Sequence, residues 1–163
     1  MAWNLSGMSE VFNLFDGELD LERDQPGFSW RAARVGEKIG AEQIGASLYE
    51  LAPGDRSFPY HYEYPCEEWL FVVSGQPTLR VPDGERTLRP GDVVCFRAGP
   101  EGAHLVRNDT DEPVRGLIAS TKGDPAVAVY PDSGKIGIWP GNEADPPFLV
   151  RRESAVDYWD GEG

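Results

Sequence analysis

Apolar and polar residues alternate in short runs through the middle of the chain. Turn sequences such as Pro82-Asp83-Gly84 and Pro90-Gly91-Asp92 separate these runs. Proline presets φ in such turns, and glycine tolerates a positive φ. Because no long helical pattern lies between the runs, we predict an antiparallel all-β sandwich or barrel. The predicted strands cover residues 30–35, 44–51, 68–74, 77–81, 86–89, 93–96, 103–108 and 113–120.

The character of the sequence changes on either side of this strand-rich region. Residues 1–28 form a predicted N-terminal arm, because most of this segment is acidic and shows no strong periodicity. Residues 29–130 are the predicted β-barrel. The C-terminal extension, 131–163, holds too many aromatic residues for a free tail. We expect it to dock on the barrel or on a partner subunit, and a loosely held extension is the alternative.

Length and charge narrow the possible partners. The 163 residues suit one domain. With 28 Asp and Glu against 15 Lys and Arg, the net charge is −13. Such a surface repels phosphate backbones and anionic membranes, so we expect no nucleic-acid or membrane partner and a small-molecule ligand instead.

The sequence shows no pattern typical of a signal peptide, a membrane span, a disulfide framework or a cysteine-bound zinc site. The first basic residue is Arg23, so the start lacks the basic region of a signal peptide. No apolar run approaches the roughly 18 residues of a membrane span. The two cysteines, Cys66 and Cys95, indicate neither a disulfide framework nor a zinc ribbon. We therefore predict a cytoplasmic protein.

The candidate chemistry rests on the two histidines of the chain, His61 and His104. Alternate side chains of a strand share a face, so His61 and Glu63 point the same way. Glu68 begins a run that is apolar on both faces and is therefore predicted to be buried on both sides. A carboxylate in such a place needs a partner or a metal.

The residues alone leave two interpretations open. In a barrel, strands that are distant in sequence face each other across the interior, so His104 can join the other three side chains. Two imidazoles and two carboxylates would then bind a divalent metal and leave positions free for water or substrate. Alternatively, each histidine is a hydrogen-bonded core or surface residue, and Glu67-Glu68 is a solvated strand end.

The spacing of these residues resembles the two motifs of the cupin superfamily. The first, G-x5-H-x-H-x3,4-E-x6-G, is similar to Gly54, six residues, His61-Tyr62-Glu63, four residues, Glu68, six residues and Gly75. The second, G-x5-P-x-G-x2-H-x3-N, is similar to Gly91, five residues, Arg97-Ala98-Gly99, four residues, His104, three residues and Asn108. The resemblance implies a cupin-type jelly-roll β-barrel with N- and C-terminal extensions.

The resemblance also implies a metal site with one departure. His61, Glu63, Glu68 and His104 are the expected ligands, and Glu63 stands where the motif has its second histidine. If Glu63 points away, two histidines and one carboxylate remain, as in many non-haem iron sites. Glu63 would then be the candidate general base. The expected ion is Fe, Mn or Zn, with Ni also possible.

The sequence is similar to a group of small stand-alone bacterial cupins, some of which carry the provisional label of sugar-phosphate isomerase. We expect a metal-dependent enzyme of the isomerase, lyase or dioxygenase type, with Glu63 and Glu68 as catalytic residues. The alternative is a non-catalytic protein that binds or senses a metabolite and holds a structural metal. Asn108 is expected to orient substrate, and Lys135 either meets an anionic substrate or lies in a plain hairpin turn. As in other cupins, the extensions are expected to build a homodimer.

Overall fold

Short strands joined by tight turns make up most of the protein. The computed structural model describes residues 10–142 and 144–163. Residues 1–9 of the predicted N-terminal arm, and residue 143 of the predicted C-terminal extension, therefore lie outside the described residues. The strands are β1 Leu21–Arg23, β2 Trp30–Ala33, β3 Ile44–Leu51, β4 Tyr62–Tyr64, β5 Glu68–Ser74, β6 Thr78–Val81, β7 Gly84–Thr87, β8 Val93–Phe96, β9 Leu105–Arg107, β10 Val114–Thr121, β11 Ala126–Tyr130, β12 Lys135–Trp139 and β13 Phe148–Arg151.

Helical structure is confined to single turns in the described part of the chain. A four-residue helix, α1, spans Val35–Lys38, and two 3-10 turns span Pro100–Gly102 and Arg152–Ser154. Within the residues that the structure covers, no helix has both the length and the apolar character needed to cross a membrane.

The strands form three hydrogen-bonded sheets. Six strands lie in the order β1-β2-β3-β10-β5-β8, four in the order β13-β12-β11-β4, and three in the order β7-β6-β9. All the pairings are antiparallel; the longest runs the full length of β3 against β10, from Ile44 opposite Thr121 to Leu51 opposite Val114. The predicted all-β jelly roll is confirmed, and its strands are hydrogen-bonded as three sheets rather than as one continuous barrel.

The main core lies between the sheets. Strand β5 contributes Leu70 and Val72 to it, and both are nearly inaccessible to solvent. Fully burying a side chain of this size stabilises the fold by about 1.5–3 kcal/mol. The other core residues are Leu51, Leu79, Leu88, Phe96, Val106 and Val114.

The opposite face of β5 departs from the prediction. We expected this strand to be buried on both sides, but Trp69 is 45% exposed. Part of that sheet face is covered by the N-terminal segment, where Leu19 joins Val35 and Leu48 in a second apolar cluster with Phe12 packed against it. This covering ends before it reaches Trp69, so only one face of β5 is a full core face.

Candidate functional site

Backbone pairing brings the two histidines together. His61 and His104 face each other across an isolated antiparallel bridge. The amide of His61 donates to the carbonyl of His104 at 3.1 Å, and the amide of His104 donates back at 2.8 Å. The centroids of the two imidazole rings lie 4.8 Å apart. Residues 43 positions apart in the sequence therefore share one place in the fold, by backbone hydrogen bonds rather than by side-chain contact alone.

Each imidazole is fixed in the same tautomer. The Nδ1 atom of His61 lies 2.9 Å from the carbonyl oxygen of Pro59, and Nδ1 of His104 lies 2.9 Å from that of Gly102. A carbonyl oxygen only accepts, so each Nδ1 carries the hydrogen and each Nε2 keeps a lone pair. Histidines that ligate metals are commonly oriented by a hydrogen bond of this kind.

Two carboxylates lie next to the free Nε2 atoms. The Glu68 carboxylate is 3.5 Å from Nε2 of His104, and the Glu63 carboxylate is 3.9 Å from Nε2 of His61. Donor atoms of His61, Glu68 and His104 all fall within 4.8 Å of one another. Glu63 stands beside this group of three.

Burial shifts the protonation of these groups toward their neutral forms. It lowers the pKa of His61, and together with the neighbouring His61 ring it lowers the pKa of His104 to about 3. Burial raises the pKa of Glu68 to about 8, and the charge of Glu63 adds to this effect. At neutral pH both imidazoles are therefore uncharged, so their contacts with the carboxylates are not ion pairs.

The donor set fits a divalent cation. Two neutral imidazoles with directed lone pairs and a largely buried carboxylate form a two-His-one-carboxylate set. The three residues meet where three sheets approach one another, because His61 directly precedes β4, Glu68 begins β5 and His104 directly precedes β9. A cation at this junction would favour the ionised form of Glu68, which burial alone disfavours. The structure thus holds a candidate His–Glu–His metal centre.

Glu63 lies near the thiol of Cys66. Burial raises the pKa of Glu63, and the nearby Cys66 thiol partly offsets this effect. Burial and the nearby Glu63 and Glu68 carboxylates raise the pKa of the Cys66 thiol. This thiol stays protonated at neutral pH and lies outside the three-residue donor group, so it does not offer a thiolate ligand.

A cavity of about 790 Å³ opens onto these groups. All four predicted site residues, His61, Glu63, Glu68 and His104, lie in its wall. The rest of the wall is mainly aromatic and cationic, formed by Arg23, Arg34, Tyr49, Phe58, Pro59, Ile118, Ser120, Ala126, Tyr130, Lys135, Trp139 and Leu149. A space of this size accommodates a small metabolite.

One predicted site residue lies elsewhere. Asn108 was expected to orient substrate, but its side chain is fully buried and absent from the cavity wall. Its amide donates to the carbonyls of Leu51 and Glu112, and its oxygen accepts from Thr110. The polar groups of Asn108 are all used within the protein, so it is a structural residue.

Other wall residues were missed or ambiguous in the sequence. Lys135 begins β12 directly after the 131–134 turn and also lines the cavity, and its contact with an anionic substrate stays a prediction. Sequence reasoning did not single out Arg23, Phe58 and Tyr130. They belong to separate parts of the chain, and no local pattern marks their approach to His61.

The fold and the site together define a small all-β jelly-roll protein with a candidate metal centre facing an open cavity. Residues 47–120 match the family model described as "Cupin domain". The matched range runs from β3 to β10 and contains all four predicted site residues. The chain therefore contains a region similar to the cupin domain. No curated protein matches it.

Solved structures extend the similarity beyond the matched domain. A protein from Acidithiobacillus ferrooxidans, provisionally named a sugar phosphate isomerase, is 27% identical with a TM-score of 0.75, covering 83% of this chain and 86% of its own. A cupin-superfamily sugar phosphate isomerase from Silicibacter pomeroyi is 26% identical with a TM-score of 0.76, covering 94% and 99%. The protein TT1209 from Thermus thermophilus is 25% identical with a TM-score of 0.51, covering 61% and 88%.

Proposed function

We propose that the protein is a metal-dependent enzyme that acts on a small polar metabolite, with isomerisation of a sugar phosphate as its leading reaction. The observation that carries the proposal is the cavity whose wall contains the His–Glu–His group and a separate carboxylate, Glu63. The names of the Acidithiobacillus and Silicibacter proteins, which share the overall fold, support the choice of substrate.

The proposal gives the site residues distinct roles. His61, Glu68 and His104 would hold one divalent ion, with Fe, Mn or Zn as the expected metals and Ni as a further candidate. A bound ion supplies Lewis acidity toward a carbonyl or hydroxyl oxygen of the substrate. The Nδ1 hydrogen bonds to the carbonyls of Pro59 and Gly102 keep both imidazoles aimed at the ion.

Glu63 is the proposed general base. Interconversion of an aldose and a ketose needs a group that takes a proton from the carbon beside the carbonyl and returns it to the neighbouring carbon. Burial raises the pKa of Glu63 above its usual value, which makes its carboxylate a stronger proton acceptor than an exposed one.

A dioxygenase is the second candidate, favoured by the two-His-one-carboxylate set itself, since this set is typical of O₂-using non-haem iron sites. Oxygen consumption by the iron-loaded protein in the presence of substrate would select this reaction. Solvent-hydrogen incorporation without oxygen consumption would select isomerisation.

Metal analysis tests the proposed ligands. Protein purified without added metal should contain close to one equivalent of ion, and His61→Ala and Glu68→Gln should lose most of it. Glu67→Gln is the matched control, because Glu67 is exposed and accepts a hydrogen bond from Nε1 of Trp69. Equal metal content in all four proteins would contradict the metal site.

Glu63→Gln separates catalysis from binding. This variant should keep the metal while kcat falls by about 10²–10⁴-fold, because only the proton-transfer group is lost. Incubating sugar phosphates with the protein in D₂O and following carbon-bound deuterium by NMR measures the step directly. A metal-loaded wild type that neither exchanges nor converts any sugar phosphate would instead support the non-catalytic alternative.

A further inference from the structure

Two cations lie near the ring of His61 in the cavity wall. The Phe58 ring meets this imidazole edge-on, with centroids 6.2 Å apart, and the Tyr130 ring stacks on it at 5.8 Å. The Arg23 guanidinium lies 5.9 Å from the Phe58 ring, and Lys135 Nζ lies 5.3 Å from the Tyr130 ring. Each cation is therefore one aromatic ring away from a candidate metal ligand.

Neither of these two cations has a carboxylate partner among the described residues, whereas about half of the other cations do. Several arginines and lysines pair with carboxylates, as Arg80 does with Asp132 at 2.6 Å and Lys38 with Asp20 at 2.7 Å. Arg34, which also lines the cavity, pairs with Glu37 at 3.0 Å. Among the carboxylates that the structure describes, none lies within 4 Å of the side-chain nitrogens of Arg23 or Lys135, and both cations lie over aromatic rings.

The charge of the whole chain makes this arrangement informative. A protein with a net charge of −13 repels anions in general. Its cavity wall nevertheless contains three cations and only two carboxylates, and both carboxylates belong to the metal end. An anionic group is thus favoured beside Arg23 and Lys135.

We propose that Arg23 and Lys135 bind the phosphate group of the substrate, while the sugar carbons lie at the His–Glu–His end. This inference rests on the proposed function and assigns its substrate-specificity residues. A guanidinium fork and an ammonium group suit a phosphate dianion, because they supply two positive charges and several donors. The Arg23 guanidinium lies over the Trp30 and Phe58 rings, and the Lys135 ammonium group lies over the Tyr130 ring.

Calorimetric titration with matched sugars tests this assignment. The probes are D-ribose 5-phosphate against D-ribose, and D-glucose 6-phosphate against D-glucose. The phosphorylated sugars should bind at least tenfold more tightly, and Arg23→Met or Lys135→Met should each weaken them roughly tenfold, since each removes a charge-assisted contact. Affinity for the unphosphorylated sugars and metal content should not change.

Arg86→Met is the matched control, because Arg86 is exposed on β7 and lies outside the cavity wall. The titrations are repeated on metal-free protein, where the preference for phosphorylated sugars should persist at lower affinity. Its disappearance there would mean that phosphate binds the metal, and would overturn the assignment. Equal losses for phosphorylated and unphosphorylated sugars, or no binding of any sugar phosphate, would overturn it too.

The metal-free titrations also separate this assignment from the proposed function. If the protein binds no metal, the phosphate preference and its loss in Arg23→Met are still measurable. If the metal is bound but Arg23 and Lys135 have no effect, the metal-dependent enzyme stands and only the phosphate site fails.

Discussion

At the scale of single residues, Asn108 shows how a motif position can serve the fold instead of the chemistry. Its amide spans the carbonyls of Leu51 and Glu112 at 3.1 and 2.8 Å, and its oxygen accepts from both the amide and the hydroxyl of Thr110. These bonds close the turn that leads from β9 into β10. Four hydrogen-bonding groups thus depend on one side chain that solvent does not reach.

We expect Asn108→Ala to lower the free energy of unfolding by about 2–4 kcal/mol, because it leaves buried polar groups without partners. Urea denaturation measures this. Asn142→Ala is the control, since Asn142 is exposed and accepts a single bond from the amide of Asp145. If Asn108→Ala left the stability unchanged but weakened substrate binding, Asn108 would be a binding residue and the structural role would be wrong.

The candidate ligands could be predicted from sequence because the motif spacing preserves which face of each strand they occupy. Spacing did not establish which carboxylate completes the donor group. The structure separates Glu68, within the group, from Glu63 beside it. That difference depends on how the turn through Cys66 places the two side chains, and no periodicity encodes it.

At the scale of elements, the eight predicted strands correspond to eight observed ones with small shifts at their ends. The strands that the sequence did not predict are β1, β4, β11, β12 and β13. Strand β4 has only three residues, and its pairing with β11 joins positions more than 60 residues apart. Short strands whose partners lie so far away carry little local signal, because long-range pairing stabilises them.

The turn that ends β5 contains Gly75, at a position where a side chain would be both strained and crowded. Gly75 has φ of 76°, and a Cβ there would lie 2.6 Å from Cγ1 of Val114 and 2.9 Å from the carbonyl oxygen of Pro113. Gly91 has a comparable φ of 91°, but nothing lies within 4 Å of its Cβ position. A residue with a side chain would therefore be strained by the positive φ at both positions, but it would clash with neighbouring atoms only at position 75.

We therefore expect Gly91→Ala to cost about 1–2 kcal/mol of stability from the positive φ alone. Gly75→Ala should cost a further 1–3 kcal/mol, approximately, because Val114 in the core would have to move. Chemical denaturation of both variants gives the difference. Equal losses would show that the contact with Val114 relaxes without cost.

At the scale of the whole molecule, the C-terminal segment leaves a large apolar surface uncovered. Strand β13 pairs with β12 along one edge, and all four of its residues are exposed. Tyr158 and Trp159 are 83% and 72% exposed. Large exposed apolar surfaces of this kind mark interaction sites. An open strand edge can also pair antiparallel with the same strand of a second copy about a twofold axis.

The homodimer remains a prediction, and we expect β13 to lie at its interface. Analytical ultracentrifugation should give twice the chain mass for the wild type and a monomer for Val150→Lys, which places a charge on the apolar strand. Val11→Lys, at a position 90% exposed in the N-terminal segment, should stay dimeric. A wild-type protein that sediments as a monomer would contradict the predicted homodimer.

The meeting of His61, Glu68 and His104 at the junction of three sheets has a consequence for the durability of the protein. An ion that all three residues bind would connect these parts of the fold at one point and would be released only when one of its ligands moved away. An ion that binds only the folded chain adds about 4 kcal/mol to its stability at a thousand times its dissociation constant. We therefore expect metal supply to govern how long the protein survives heat and proteases.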